Sequence, residues 1–470
     1  MLIQEEVGLL GVTSNWDGRI SRRSFVRGAA AAMLVSAGGG LTALGAREAQ
    51  GKPVERIEGY GPLVPMGALA LPRGFSYKVI SQQGDPMDDG NLTPGVFDGM
   101  GAFPGPDGTT VLIRNHENRR RVGESTVIVP PELRYDDDLT YNAGNTKLVV
   151  DENLNVVQDF AILGGTDTNC AGGQMPWGSW ITCEEVVNRS AVTSTPHGYI
   201  FEIDAYADGP VEARPITAAG RFTHEAVAWL DGILYETEDL RDDSFFYRYI
   251  PSTAPDSSGD LADSSGLLQA LKIKDVTNAV MDTFPTVGES YDVEWVTIDD
   301  PDPDERLLEP TVGQQARAKG AAIFDREEGI WVGGDKVYFD CTEGGELDLG
   351  QVYEFDPLPG RETITLIYES TNGATLENPD NVVIVPKTGD IFLQEDSEDE
   401  QFVRGLTPEG KIYDFAKTIT NNTEFCGGCF SPNGTVFFVN QQGARGSLPA
   451  GPPNGSAVTY AITGPFSRRR

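Results

Sequence analysis

From residue 70 onward, apolar positions fall in short runs or alternate with polar ones, and each stretch stops at Gly, Pro, Asn or Asp. Alternation puts one face of a strand inward, while short unbroken runs suit strands buried on both faces. The pattern predicts strands at 109–114 (TTVLIR), 178–183 (GSWITC), 198–203 (GYIFEI), 232–236 (GILYE), 351–355 (QVYEF), 390–394 (DIFLQ) and 434–440 (GTVFFVN). Their Val, Ile, Tyr and Phe content favours a pleated surface. Turn chemistry separates them, as in PDG at 106–108, KTGD at 387–390 and PNG at 432–434. Helical periodicity is scarce: QARAKGAA at 315–322 supports one short helix at best. The interval 253–310 is polar and acidic, and reads as inserted loop with one short helix or strand around 266–275. The 55 glycines and 30 prolines among 470 residues agree with a turn-rich, all-β chain.

One pattern recurs at intervals of about 50 residues: a polar turn, a strand, then carboxylates or amides at the strand end. The instances are Asn115-His116-Glu117, Cys183-Glu184-Glu185, Glu236-Thr237-Glu238-Asp239, Gly334-Asp335, Glu395-Asp396 and Asn440-Gln441-Gln442. Any one of them is equally an ordinary turn. Together they predict an all-β, six-bladed β-propeller whose inner strands line a central channel. Acidic strand ends distant in sequence would then gather around one axis. The stretch 457–462 (AVTYAI) is expected to pair with an N-terminal blade and close the ring.

Charge narrows the functional classes. Against 36 Lys+Arg stand 71 Asp+Glu, a formal net charge of −35. Such a surface repels phosphate backbones and anionic lipid, so nucleic-acid binding and charge-driven membrane binding are excluded as expectations. Residues 21–27 read Ser-Arg-Arg-Ser-Phe-Val-Arg and precede a small, mildly apolar stretch at 28–46. That is the form of a twin-arginine export signal. Glycines 38–40 interrupt the stretch, which argues against a stable membrane anchor. Residues 1–50 are therefore read as export signal and linker, and 51–470 as one propeller domain. The expected partners are the twin-arginine export machinery through residues 21–27 and small-molecule substrates. The expected state is an exported monomer, periplasmic or extracellular.

Five cysteines leave at least one thiol without an intramolecular partner. Cys426-Gly-Gly-Cys429 has a redox or zinc-knuckle spacing, but no second such pair exists; structural thiols, a disulfide and chemistry all stay open. Cys170 differs, lying in a glycine-rich loop ahead of a strand and two carboxylates, GGTDTNCAGGQMPWGSWITCEE at 164–185. GRFTHE at 220–225, DREEG at 325–329 and NPDN at 378–381 add carboxylates, a histidine and Arg326. With three histidines and no G-x-S-x-G, P-loop or dinucleotide fingerprint, the chemistry left is metal chemistry on oxygen ligands with one thiolate.

These segments together resemble one family. The twin-arginine signal, NHEN at 115–118, NCAGGQMPWGSWITCEE at 169–185, RFTHEA at 221–226, REEG at 326–329, PDN at 379–381 and FSPNGTVFFVNQQ at 430–442 are similar to the PhoX family of secreted, calcium-dependent alkaline phosphatases. The resemblance implies a six-bladed propeller with ferric iron and calcium on its axis, hydrolysing phosphate monoesters. It puts the thiolate iron ligand on Cys170, carboxylate ligands on Glu185, Glu225, Glu328 and Asp380, and the phosphate contact on Arg326. Glu117, Asp239 and Asp396 follow as further ligands, with Glu184 as the alternative to Glu185. Asn115 and His116 are candidate substrate contacts, while His116 and His224 equally suit structural hydrogen bonds. Arg326 could instead pair with Asp325 or Glu327. Two other readings remain: a calcium-dependent lactonase or phosphotriesterase on the same ring, needing one calcium and no Cys170, and an inactive acidic binding module.

Overall fold

The computed structural model describes residues 56–120, 125–188, 195–397, 400–444 and 455–469. The expected export signal at 21–27, and residues 1–50 as a whole, lie outside the described residues. Among the described residues no helix is long and apolar enough to cross a membrane.

Nearly all regular structure is antiparallel β. The seven predicted strands are present as Thr110–His116, Ser179–Glu184, Ile200–Asp204, Ile233–Glu238, Gln351–Asp356, Ile391–Glu395 and Val436–Gln441. A short helix, Val312–Ala318, overlaps the predicted 315–322 but begins three residues earlier and stops at Ala318; it is opened by a capping box in which Thr311 and Gln314 satisfy each other's backbone N–H groups.

Six strands form the inner ring: Phe97–Pro104, Asn169–Gln174, His224–Leu230, Glu327–Gly333, Pro379–Ile384 and Phe425–Phe430. Each packs against the next, and the last packs against the first, a propeller-like arrangement. Each also pairs with the strand that follows it, and further strands fan outward.

The hydrogen bonding corrects the expected count of six separate blades. The described strands form five sheets, of nine, six, four, four and three strands. Two local causes account for this. Ser290–Thr297 pairs along one edge with Gly266–Ile273 and continues, through Ser290–Asp292, onto Thr363–Glu369, so two fans merge into the nine-stranded sheet. Beyond Ile200–Asp204, the outer partner is only an isolated bridge from Phe201 to Pro215, and proline cannot donate to a ladder. The merging strand also overturns the loop reading of 253–310. Tyr291, Val293 and Trp295 alternate inward against the core, and Asp292 and Glu294 between them mask the pattern.

Closure follows the expected route: Val458–Thr463 pairs with Ser76–Gln82 in the same sheet as Phe425–Phe430. Buried Arg114 ties this sheet to its neighbour. Its Nη1 donates to Ser81 Oγ (3.1 Å) and Thr459 Oγ1 (2.8 Å), Nη2 donates to Thr146 Oγ1 (3.2 Å), and the guanidinium lies 3.6 Å over the Phe97 ring. Burial pulls its pKa down to about 9, against the upward pull of the Asp159 and Asp85 charges.

Inner strands approach closely where a side chain is missing. A Cβ on Gly173 would stand 2.0 Å from the Val227 carbonyl oxygen of the next inner strand, which is backbone and cannot swing aside. Gly173→Ala should therefore lower stability by at least about 1–3 kcal/mol, read as an earlier urea midpoint. Gly209→Ala, with nothing within 4 Å of the added carbon, should stay within about 0.5 kcal/mol of the parent. Equal midpoints for the two variants would contradict the close-approach account.

Candidate metal centre

The same irregularity opens all six inner strands. The first residue pairs with the last residue of the following strand: Phe97 with His116, Asn169 with Glu184, His224 with Glu238, Glu327 with Cys341, Pro379 with Glu395, Phe425 with Gln441. Just beyond that pair, or one pair later in the Phe425 strand, the register slips by one residue, a β-bulge. A bulge takes a residue out of the ladder and re-aims its side chain. The second residues of the six strands are Asp98, Cys170, Glu225, Glu328, Asp380 and Cys426.

The residues just after the paired strands form a second set: Glu117, Glu185, Asp239, Thr342, Asp396 and Gln442. Their backbone N–H groups donate to Val96, Thr168, Thr223, Arg326, Asn378 and Glu424 at 2.9–3.2 Å, in every case the carbonyl two residues before the re-aimed side chain. Four of those acceptors, Val96, Thr168, Arg326 and Asn378, hold φ of 49–54°. Positive φ is costly for any residue with a Cβ, and most of all for β-branched Val96 and Thr168. The repeat thus imposes one turn geometry on unrelated residues.

The two sets converge. Ligand atoms of Cys170, Glu185 and Glu225 lie within 4.8 Å of one another, as do those of Glu225, Glu328 and Asp380, of Asp380, Asp396 and Glu424, and of Asp98, Glu117 and Glu424. Glu225, Asp380 and Glu424 each belong to two trios, so the four trios form one continuous chain. Among the described residues two guanidiniums reach it. Arg326 donates from Nε and Nη2 to the two oxygens of Asp239 (2.8 and 2.7 Å), its Nη2 lies 2.9 Å from Glu328 Oε1, and its Nη1 lies 3.5 Å from Glu343. Arg119 bonds Glu117 Oε1 from Nε (3.1 Å) and Nη2 (2.8 Å) and stands 3.5 Å from Glu185.

Electrostatics follow from burial. Removal from water pushes Glu185, Glu225, Glu328 and Glu424 well above the usual carboxylate range and Asp380 to about 8, and their carboxylate neighbours push the same way. Burial, then Glu225 and Glu185, likewise raise the Cys170 thiol, whose Sγ lies 3.2 Å from the His224 carbonyl and 3.4 Å from that of Glu225. Such a thiol ionises only beside a cation. Carboxylates shared between neighbouring trios suit hard, oxygen-seeking cations that bridge, and the thiolate corner suits iron, so this donor set fits both Ca²⁺ and Fe³⁺.

Several sequence expectations change. Glu185, not Glu184, enters a trio; the Glu184 carboxylate accepts from His197 Nδ1 (2.7 Å) and the backbone N–H groups of Asp167, Gly198 and Tyr199. Asp239 joins no trio; it stands beside Glu185 and holds Arg326, a pairing found in place of the expected one with Asp325 or Glu327. Asn115 and His116 are wholly buried. His116 bonds Gly95 O and Thr146 Oγ1 (2.9 Å each), and Asn115 bonds main chain behind Cys170. Gly334-Asp335 lies in the turn between Glu327–Gly333 and Lys336–Cys341; the strand-end position of that repeat is Thr342. Cys426 and Cys429 are free, buried thiols, not a disulfide. Asp98, Glu424 and Arg119 escaped the sequence reading. The signal for Asp98 was its place 19 residues before Glu117, within the 14–19 residue spacing that separates the two positions in every repeat.

Comparison with known proteins gives the chain a family. A family model described as "Alkaline phosphatase PhoX" matches residues 58–162 and 152–444. No curated protein sequence matches. Among solved structures, Pseudomonas fluorescens PhoX in complex with vanadate, a transition state analogue, is 18% identical, with a TM-score of 0.65 over 87% of this chain and 98% of that one. The WD40 domain of Toxoplasma gondii coronin is 10% identical, with a TM-score of 0.37 over 85% of this chain and 89% of that one. With the family match extending over most of its length, the chain belongs to the PhoX alkaline phosphatase family of metal-dependent phosphoric monoester hydrolases.

Proposed function

We propose that the linked trios hold a multinuclear centre of Fe³⁺ and Ca²⁺ and that the chain, exported by the twin-arginine route, uses it to release phosphate from small organic phosphate esters. The observation that carries this reading is the sharing of Glu225, Asp380 and Glu424 between adjacent trios, an arrangement with little purpose unless several cations sit side by side. Cys170, Glu185 and Glu225 would hold iron. Glu328, Asp380, Asp396 and Glu117, joined by Asp98 and Glu424, would hold calcium. Bound there, the cations supply Lewis acidity, offsetting the charge of a phosphate dianion and making bound water acidic at moderate pH.

The chain's own side chains do the rest. Arg326 is the candidate phosphate contact: its side chain is 26% exposed, and its planar fork is already oriented by Asp239. Asp239 therefore acts as a positioning residue. Arg119, 38% exposed, balances Glu117 and Glu185 at the rim. The family match supports the reaction class, and the donor chemistry supports the choice of metals.

Three outcomes follow. Chelation should abolish hydrolysis of p-nitrophenyl phosphate and lower the melting temperature, and Ca²⁺ should restore the rate. In Glu328→Gln the Ca²⁺ response of the rate should be blunted although the surface charge is nearly unchanged. Full activity after chelation, or a variant that responds like the parent, would count against the metal centre.

Arg326→Lys keeps the charge but loses the fork, and should cut kcat/KM by about 10²–10³-fold, as removal of a preorganised transition-state donor does. A loss below threefold would remove Arg326 from the reaction.

The third outcome concerns pH. Asp380, near 8 when folded, and Glu238, also pushed to about 8 by burial, bind protons more tightly folded than unfolded, where carboxylates titrate near ~4. Their protonated forms favour the fold, so the metal-free chain should lose stability as pH rises from about 5 to 8. Ca²⁺ should reverse that slope. The check is the urea midpoint at both pH values with and without Ca²⁺; a flat profile without metal would contradict the assignment.

A further inference from the structure

In five of the six strands the bulge puts a ligand-bearing residue (Asp98, Cys170, Glu225, Glu328 or Asp380) out of register with its partner strand, so the ladder alone does not fix its direction. In three of the six repeats a side chain from the preceding repeat supplies that restraint. Asn115 Nδ2 donates to the carbonyls of Cys170 and Ala171 (2.7 Å each), Thr237 Oγ1 to the carbonyl of Glu328 (2.6 Å), and Asn440 Nδ2 to the carbonyl of Asp98 (2.6 Å). All three donors occupy one register position, two residues before Glu117, Asp239 and Gln442 respectively, and all are fully buried.

Each donor is also held from behind. Trp180 Nε1 donates to Asn115 Oδ1 (2.8 Å), the Ala226 N–H to Thr237 Oγ1 (3.0 Å), and Thr459 Oγ1 to Asn440 Oδ1 (2.6 Å). The position is filled by Cys183, Asp340 and Gln394 in the other repeats, and Gln394 Oε1 accepts the Gly428 N–H of the next bulge (2.6 Å). None of the three donors belongs to a trio.

We infer that Asn115, Thr237 and Asn440 are positioning residues of the metal centre, each aiming a ligand of the next repeat (Cys170, Glu328 and Asp98) by clamping its main-chain carbonyl. The inference rests on the metal-centre reading above. Partners of this kind, one shell behind the ligands, are typically worth about 10–100-fold in metal affinity.

Thr237 offers the cleanest test, because valine copies its shape without the donor and serine keeps the donor without the methyl. The full chain is stripped of metal and titrated calorimetrically with Ca²⁺ alone. Thr237→Val should bind Ca²⁺ about 10–100-fold more weakly, and Thr237→Ser should lie within about threefold of the parent. A merely structural hydrogen bond would lower the unfolding midpoint without this split in Ca²⁺ affinity. If Thr237→Val does not accumulate folded, Asn115→Leu is examined with Co²⁺ alone, where the thiolate-to-cobalt absorption of Cys170 should weaken or shift. Parent-like Ca²⁺ affinity in Thr237→Val, or a parent-like cobalt band in Asn115→Leu, would overturn the positioning role and leave the metal centre standing. A parent chain that takes up neither ion would overturn the metal centre, and the inference with it.

Discussion

Repulsion among like charges is the constraint on which this molecule turns. Eight carboxylates and a thiol meet in four linked trios, each confined within 4.8 Å, and two guanidiniums reach them among the described residues. Two unit charges at such a separation repel by about 3–4 kcal/mol at an effective dielectric near 20. A few such pairs equal the whole stability of an ordinary domain, about 5–15 kcal/mol. Without cations the groups can stay together only by taking up protons, which is the direction in which burial drives Glu185, Glu225, Glu328, Asp380 and Glu424. A scaffold that enforces this crowding makes sense when cations belong to the native state.

The scaffold enforces it by repetition. One bulge, one backbone hydrogen bond from the strand-following residue and one tight turn recur around the ring. Arg326 shows how economical the device is. Its backbone, at φ 54°, forms the turn that presents Glu328, its carbonyl receives the Thr342 N–H, and its side chain is the candidate phosphate contact. Moving any of these moves the others, so metal geometry and substrate geometry are coupled through a single residue. Closure by Val458–Thr463 and Arg114 holds the first and last repeats in the same relation as the rest.

Much of this was legible in the sequence, because strand periodicity and turn residues are local signals. Seven strands, the closing strand and the recurrence of strand-end carboxylates could be read directly; Cys170 and Glu185 stood in one long matching segment, and Glu225, Glu328 and Asp380 in short ones. What escaped was non-local. Asp98 sits in an unremarkable FDGMG stretch, and only register with Glu117 marks it. Glu424 precedes the apolar FCGGCF strand, two residues ahead of Cys426, a position that supplies a trio member in none of the other repeats. Asn115 and His116 look like site residues beside Glu117, but both are wholly buried and spend their polar atoms on main chain and on Thr146. Ser290–Thr297 was hidden by the acidic residues on its outer face, and its joining of two fans was invisible without knowing its second partner. Gly334-Asp335 imitated the repeat one turn too early.

The central claim is that Cys170, Glu185 and Glu225 hold iron at one end of a chain of calcium-bridging carboxylates. The most direct measurement is a crystal structure of the protein, purified without added metal, with diffraction data recorded on both sides of the iron absorption edge. The account predicts an anomalous peak, present above the edge and absent below it, at bonding distance from Cys170 Sγ and between Glu185 and Glu225. No iron signal among those three residues, in crystals of active protein, would contradict it.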